Sequence, residues 1–167
     1  KPMYKAGERR IVNKVEIKDS FYTEGGGIKN LAFVKDEDGV LHYVWITENN
    51  RIFIGVNNPD SETEVVKDIT DLAGNEVFTS AIMDKTGEKL ITGTSKGEMF
   101  WIDIEDAEKA YLRDNWKAGN GAITQMKFLI GDNSIIASHQ SGRISQWFAV
   151  REKDSEFKFR HVRDFDS

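Results

Sequence analysis

The chain has 167 residues, enough for one domain with a real core. It is 39% hydrophobic and 31% charged with a net charge of −5, a globular composition whose modest negative charge argues against a nucleic-acid partner, which would want a basic face, and gives no reason to expect an anionic membrane surface. The absence of cysteine removes disulfides, thiolate metal sites and a cysteine nucleophile together. Apolar runs such as Leu41–Ile46 fall well short of the ~20 residues of a spanning helix. No signal peptide is visible in the opening residues, and the missing initiator methionine leads us to expect a piece of a longer chain.

In chain order, Arg9–Asp19 (RRIVNKVEIKD) reads as a lone strand. Gly25-Gly26-Gly27 follows. A phosphate-cradling loop needs spaced glycines before Lys-Ser/Thr and a helix; here a strand comes next, so the glycines read as a connection. From Ile28 a first unit begins, with alternating Ile28, Leu31 and Phe33, then an acidic turn Asp36-Glu37-Asp38-Gly39. That turn lacks the later oxygen ligands and closing Glu of a calcium loop, so it reads as a charged hairpin turn. Two further strand signals and the more polar TEVVKDIT complete the unit. A second unit starts at Phe78 and ends in KAYLRDNW. Within it, Ile104–Trp116 is the only stretch of helical flavour, and it falls where a strand connection is needed. The third unit starts at Ile123 and ends in EFKFRHVRDF, where Phe157, Phe159 and Phe165 are expected on one face and Lys158, Arg160 and Asp164 on the other.

The second and third units superpose at a fixed offset of 45 residues. Thr79 meets Thr124, Leu90 meets Ile135, Gly97 meets Gly142 and Ile102 meets Trp147. Between the first and second units the offset drifts from 50 to 47 by Asn50, which reads as a small insertion in the KDEDG turn. Four short strands per unit at a period near 45 is the pattern of a β-propeller blade. The fold class is therefore all-β, a partial propeller of about three four-stranded blades in a single domain spanning 1–167. Residues 24–75, 76–120 and 121–167 form the blades, and 1–23 hold the outer strand of a preceding or closing blade. A β-sandwich with accidental self-similarity is the structural alternative. The register also predicts positive φ at Gly97 and Gly142 and burial of Trp147 between blades. Three blades leave open faces at both ends, so the chain is expected to self-associate.

At GTSKGEMFWIDI the sequence resembles WD40 repeats, with Asp103 at the usual Asp position and Ile102 where Trp would stand. In the next copy Trp147 is present but Phe148 replaces the Asp, and the Gly-His pair is missing. Gly142–Phe165 also resembles the large soluble WD40-like insert of some bacterial phosphate ABC transporter permeases. That resemblance implies an accessory domain of phosphate transport on the periplasmic side of the inner membrane. It implies as partners the remainder of the permease, the other transporter subunits and a periplasmic binding protein. The alternative is a general WD40-like interaction scaffold in a soluble assembly.

The search for chemistry yields no catalytic, cofactor-binding or metal residues, and the chain is expected not to be an enzyme. His42, His139 and His161 are isolated rather than spaced as zinc ligands, and each reads as a surface or hydrogen-bonded structural histidine. No G-x-S-x-G nucleophile turn occurs. A propeller hydrolase would place acids at the starts of its inner strands, where this chain has Ile28-Lys29-Asn30, Phe78-Thr79-Ser80 and Ile123-Thr124-Gln125. Trp116, in a polar stretch, is the aromatic expected to be partly exposed, either over a blade edge or as a rim anchor for a partner.

Overall fold

The computed structural model describes residues 26–61, 63–152 and 156–165. The strand read at Arg9–Asp19 lies outside them. The described residues fold into three antiparallel four-stranded sheets, each made of consecutive strands. The first holds β1 (Ile28–Lys35), β2 (Leu41–Thr47), β3 (Ile52–Asn58) and β4 (Thr63–Asp68). The second holds β5 (Phe78–Met83), β6 (Lys89–Thr94), β7 (Glu98–Asp103) and β8 (Tyr111–Lys117). The third holds β9 (Ile123–Phe128), β10 (Ser134–His139), β11 (Ile144–Arg151) and β12 (Phe157–Phe165). The opening strands lie side by side, β1 next to β5 and β5 next to β9, so the sheets stack face to face like propeller blades. The architecture is all-β. The stretch of helical flavour resolves into a single 3-10 turn, Ala107–Lys109, whose start is capped by the Asp106 carboxylate accepting from Glu108 N–H. β8 follows directly. No helix among the described residues is long and apolar enough to cross a membrane.

Tight turns join the strands because the chain supplies residues that tolerate positive φ. Between second and third strands these are Asn50 (φ 60°), Gly97 (80°) and Gly142 (90°), which confirms the register at both glycines. The insertion in the first unit is placed differently from the sequence reading. The turns Asp36–Gly39 and Asp84–Gly87 have equal length, each closed by Gly N–H to Asp C=O (3.0 and 3.1 Å). The extra residues lengthen the hairpin arms instead: β1 and β2 have 8 and 7 residues against 6 and 6 in β5 and β6.

Each sheet has a forward face toward the next sheet and a backward face toward the one before. The core is two separate seams. In the first, Val44, Ile46, Ile52 and Ile54 pack against Phe78, Leu90, Phe100 and Ile102. In the second, Ile91, Met99 and Trp101 meet Met126, Ile135, Trp147 and Phe159. Each fully buried aliphatic contributes roughly 1.5–3 kcal/mol. Trp147 is 7% exposed, and its ring lies 5.7 Å from Trp116 of the neighbouring sheet, the inter-blade position the repeat predicts.

One face assignment changes. Of the three phenylalanines of β12, only Phe159 is buried. The pairing of β11 with β12 slips between Gln146 and Trp147, so Trp147 faces His161 while Gln146 faces Arg163. That one-residue bulge inverts the alternation. Phe165 thus lies opposite Ile144 on the forward face, away from Phe157 and Phe159.

Candidate functional site

At one end of the stack, the turns between second and third strands meet the connections between sheets. Asn50 reaches across to the next connection: its Nδ2 donates to Glu76 C=O (3.0 Å) and its Oδ1 accepts from Phe78 N–H (2.8 Å). Gly97 does the same with backbone alone, its carbonyl accepting from Ala118 N–H at 2.7 Å. A Cβ there would sit 2.1 Å from Gly119 O, so only glycine fits this approach. Arg143, beside the third turn, reaches back to the same connection, Nη1 donating to Ala118 C=O at 2.8 Å. The result is a braced rim. It presents exposed Glu48, Asn49, Lys96, Gln140 and Ser141 to solvent, with Lys96 paired to Glu76 at 3.3 Å.

The three histidines do not converge. His139 closes β10 at the position held by the buried threonines Thr47 and Thr94 in the other sheets. It is 4% exposed, and its Nε2 lies 2.9 Å from Ser145 Oγ, which also accepts from Trp147 Nε1 at 2.9 Å. Burial, helped by the Arg143 charge and opposed by Asp164, lowers the His139 pKa. A serine hydroxyl against an imidazole is the pairing a nucleophile and base require. Ser145, however, is fully buried beneath the Trp147 indole, so this trio is a core hydrogen-bond network. The sequence reading treated His139 as structural but did not pair it with Ser145. The spacing i, i+6, i+8 across a two-strand hairpin was the available signal.

His42 holds the Asp36 turn, Nε2 to Oδ2 at 2.8 Å, and the His42 hydrogen bond keeps the Asp36 carboxyl below its ordinary pKa. Its ring packs over Gly87, where a Cβ would come within 2.3 Å, so the first sheet's hairpin locks onto the second's turn. His161 and Arg143 both bind Asp164 Oδ1 at 2.8 Å, which lowers the Asp164 pKa. Among the described residues no group of three or more His, Cys, Asp or Glu could hold a metal ion. Trp116 is half-buried, its ring 5.3 Å from Phe159. It packs between sheets rather than standing free on the rim.

At the opposite end, a groove of about 600 Å³ opens between the first and second sheets, walled by Val56, Val65 and Ala107 and edged by Asp103, Glu105 and Asp106. Asp103, matched to the WD40 aspartate, accepts from Arg113 Nη1 (3.3 Å) and Tyr111 OH (3.2 Å). The Arg113 guanidinium lies 4.8 Å over Trp101. Burial first, then Glu105, Asp84 and Asp103, pushes the Glu88 carboxyl up.

The sequence matches no family model and no curated protein. The fold has clear counterparts among solved structures. The β-propeller domain of Myceliophteria thermophila Cps50 (Swd1) aligns with a TM-score of 0.59 at 13% identity, covering 75% of this chain and 43% of that one. Hsv2 of Kluyvelomyces marxianus aligns with a TM-score of 0.62 at 13% identity, covering 84% of this chain and 46% of that one. The three sheets thus have the fold of WD40-like propeller blades, and the chain spans less than half the length of these two structures. At this identity the likeness shows the fold alone.

Proposed function

We propose that the chain is a non-enzymatic interaction scaffold, a rigid WD40-like platform on which other proteins assemble. The observation that carries this reading is the rim. Asn50, Gly97 and Arg143 tie turns to inter-sheet connections, and that bracing presents exposed polar residues in fixed positions. Preorganised surfaces of this kind bind with little ordering cost. The test is quantitative affinity capture with the intact chain and with a rim variant, Glu48→Lys/Lys96→Glu/Gln140→Lys. Retention of a stoichiometric protein partner by the parent and its loss by the variant is expected. Turnover of ester, lactone or phosphoester substrates would overturn the reading.

A narrower form places the scaffold in a phosphate ABC transporter permease, on the periplasmic face of a bacterial inner membrane, against the other transporter subunits or a periplasmic binding protein. Its support is the sequence resemblance over Gly142–Phe165. Crosslinking of the chain to transporter subunits in isolated membranes tests it, and the absence of any adduct would count against it. Calorimetric titration of the isolated chain with phosphate, Ca²⁺ and Zn²⁺ is expected to show no site tighter than roughly millimolar.

A further inference from the structure

The forward faces of the three sheets can be compared position by position through the repeat. The first presents Val44, Ile46, Ile52 and Ile54, all buried. The second presents Ile91, Gly93, Met99 and Trp101, also buried. The third presents Ile136, Ser138, Ile144 and Gln146, with no sheet over them among the described residues. Two of its four positions, Ser138 and Gln146, are polar where the second sheet has Gly93 and Trp101, and both are tied into side-chain bonds. Ser138 Oγ lies 2.8 Å from Thr124 Oγ1, and Gln146 donates to Ser134 Oγ (3.0 Å) and accepts from Arg163 Nε (2.9 Å). The capacity these bonds leave open, such as the second Gln146 amide N–H, would go unmet against an aliphatic blade face. This face is built for a polar partner.

Its charge names the partner's sign. By register, Lys127, Lys158, Arg160 and Arg163 all project on this side, in a chain whose net charge is −5. Arg160 pairs with Glu152 at the edge, while the other three have no carboxylate partner among the described residues. Arg163 is held in place by Gln146 and by stacking 4.7 Å from the Phe165 ring. Apolar footholds lie between the cations: Ile144, Phe148 and Phe165 are 37%, 43% and 36% exposed. A shallow groove of about 370 Å³ runs along Gln125, Lys127, Ile136, Ser138 and Ile144. Beside the face, β12 pairs only with β11 among the described residues, leaving a nine-residue backbone edge there that only a polypeptide strand can extend by pairing.

We propose that the forward face of the third sheet, together with the free edge of β12, docks an extended acidic segment of a partner protein that alternates carboxylates with apolar side chains. This rests on the scaffold reading and names one of its binding surfaces. Nucleic acid and anionic membrane share the negative charge but cannot use the strand edge.

The test uses the intact chain and a fluorescent peptide of about ten residues alternating glutamate and valine. Binding is measured by anisotropy and mapped by amide chemical shifts. Shifts confined to β9–β12 are expected, with affinity about tenfold weaker for Lys127→Glu/Arg163→Glu. The control Lys67→Glu/Lys117→Glu, which makes the same charge change on β4 and β8, should bind as the parent does. Four results would overturn the proposal: no binding, equal binding of a lysine–valine peptide, tighter binding of oligothymidylate or phosphatidylserine vesicles, or unchanged binding by Lys127→Glu/Arg163→Glu. Absence of binding would leave the β12 cations as guards against edge-to-edge pairing. If the peptide fails while rim-dependent capture succeeds, only this surface is wrong; failure of both removes the scaffold reading as well.

Discussion

The two seams do the same job with different chemistry. The first, between sheets one and two, is largely aliphatic, with Ile46, Ile52, Ile54, Leu90 and Ile102 at or below 1% exposure. The second, between sheets two and three, is aromatic. Trp101 meets Phe159 edge-on at 4.9 Å, and Trp116 touches both Phe159 and Trp147. An aliphatic seam depends on volume alone. An aromatic seam must also house indole N–H groups. Trp147 has Ser145 as its partner, whereas Trp101 and Trp116 Nε1 are buried without one. One blade geometry therefore accepts either filling, and the aromatic one adds a hydrogen-bond network that can be broken separately from the packing.

The largest expected effect is Trp147→Ala. It opens a cavity in the second seam and strips Ser145 of a donor, so a loss of ~3–5 kcal/mol is expected in urea unfolding. Ile54→Ala in the first seam removes volume only and should cost about 2–4 kcal/mol. A smaller loss for Trp147 than for Ile54 would break the distinction. Next comes the pair of turn glycines. Gly97→Ala meets both an unfavourable φ and the Gly119 carbonyl, for roughly 3 kcal/mol. At Gly142 a Cβ meets nothing within 4 Å, and only the φ penalty of about 1 kcal/mol remains. Equal losses would mean the Gly97 approach relaxes freely.

Smaller still is the contrast between two buried hydroxyls. Ser145→Ala leaves both Trp147 Nε1 and His139 Nε2 unpartnered and should cost about 1–3 kcal/mol. Thr92 is also fully buried, but its Oγ1 has no partner. Thr92→Val should therefore be neutral or stabilising by up to about 1 kcal/mol. Thermal denaturation of the two variants side by side decides this, and a destabilised Thr92→Val would break the contrast.

Much of this was legible in the sequence because a repeat carries local geometry with it. The 45-residue register placed Gly97 and Gly142 in equivalent turns and Trp147 in a seam, since turn sterics and face alternation depend on near neighbours. What the register could not carry was any departure from strict alternation. The bulge opposite Gln146 sends Phe165 to the other face, and no composition signal at Val162 announces it. The lengthened arms of the β1–β2 hairpin were likewise misplaced into its turn, because an offset says how many residues are extra but not where hydrogen bonds absorb them. Pairings across a sheet, such as Arg143 with Asp164, depend on register between distant strands and were out of reach. The asymmetry of the forward faces was half legible: the 45-residue register already sets Ser138 against Gly93 and Gln146 against Trp101, but which of these positions face the next sheet became visible only with the strand pairing.

The smallest effect tests the network most directly. His139 occupies the site that the first and second sheets fill with Thr47 and Thr94, so the second seam alone contains a titrating group at this position. Burial depresses the His139 pKa below its ordinary value of 6.5. Above about pH 6.5 the imidazole is neutral in folded and unfolded chains alike, and the seam keeps its full stability. As pH falls below that value the unfolded chain binds a proton that the folded chain refuses. Stability therefore drops until the folded pKa is reached. Asp36 and Asp164, also depressed from 3.8, lose their contributions only at more acid pH. Glu88, raised above 4.5, takes up a proton first in the folded chain and opposes the loss, so it is the comparison with a His139 variant, rather than the window between about pH 6.5 and pH 5, that isolates His139. In urea titrations the parent chain should lose up to ~1 kcal/mol across that window. His139→Thr, which copies the other two sheets and leaves Ser145 free to accept from Trp147, should flatten the dependence at little cost near pH 7.5. If the variant keeps the parent's slope, the titrating group lies elsewhere and the polar trio does not set the pH behaviour of the second seam.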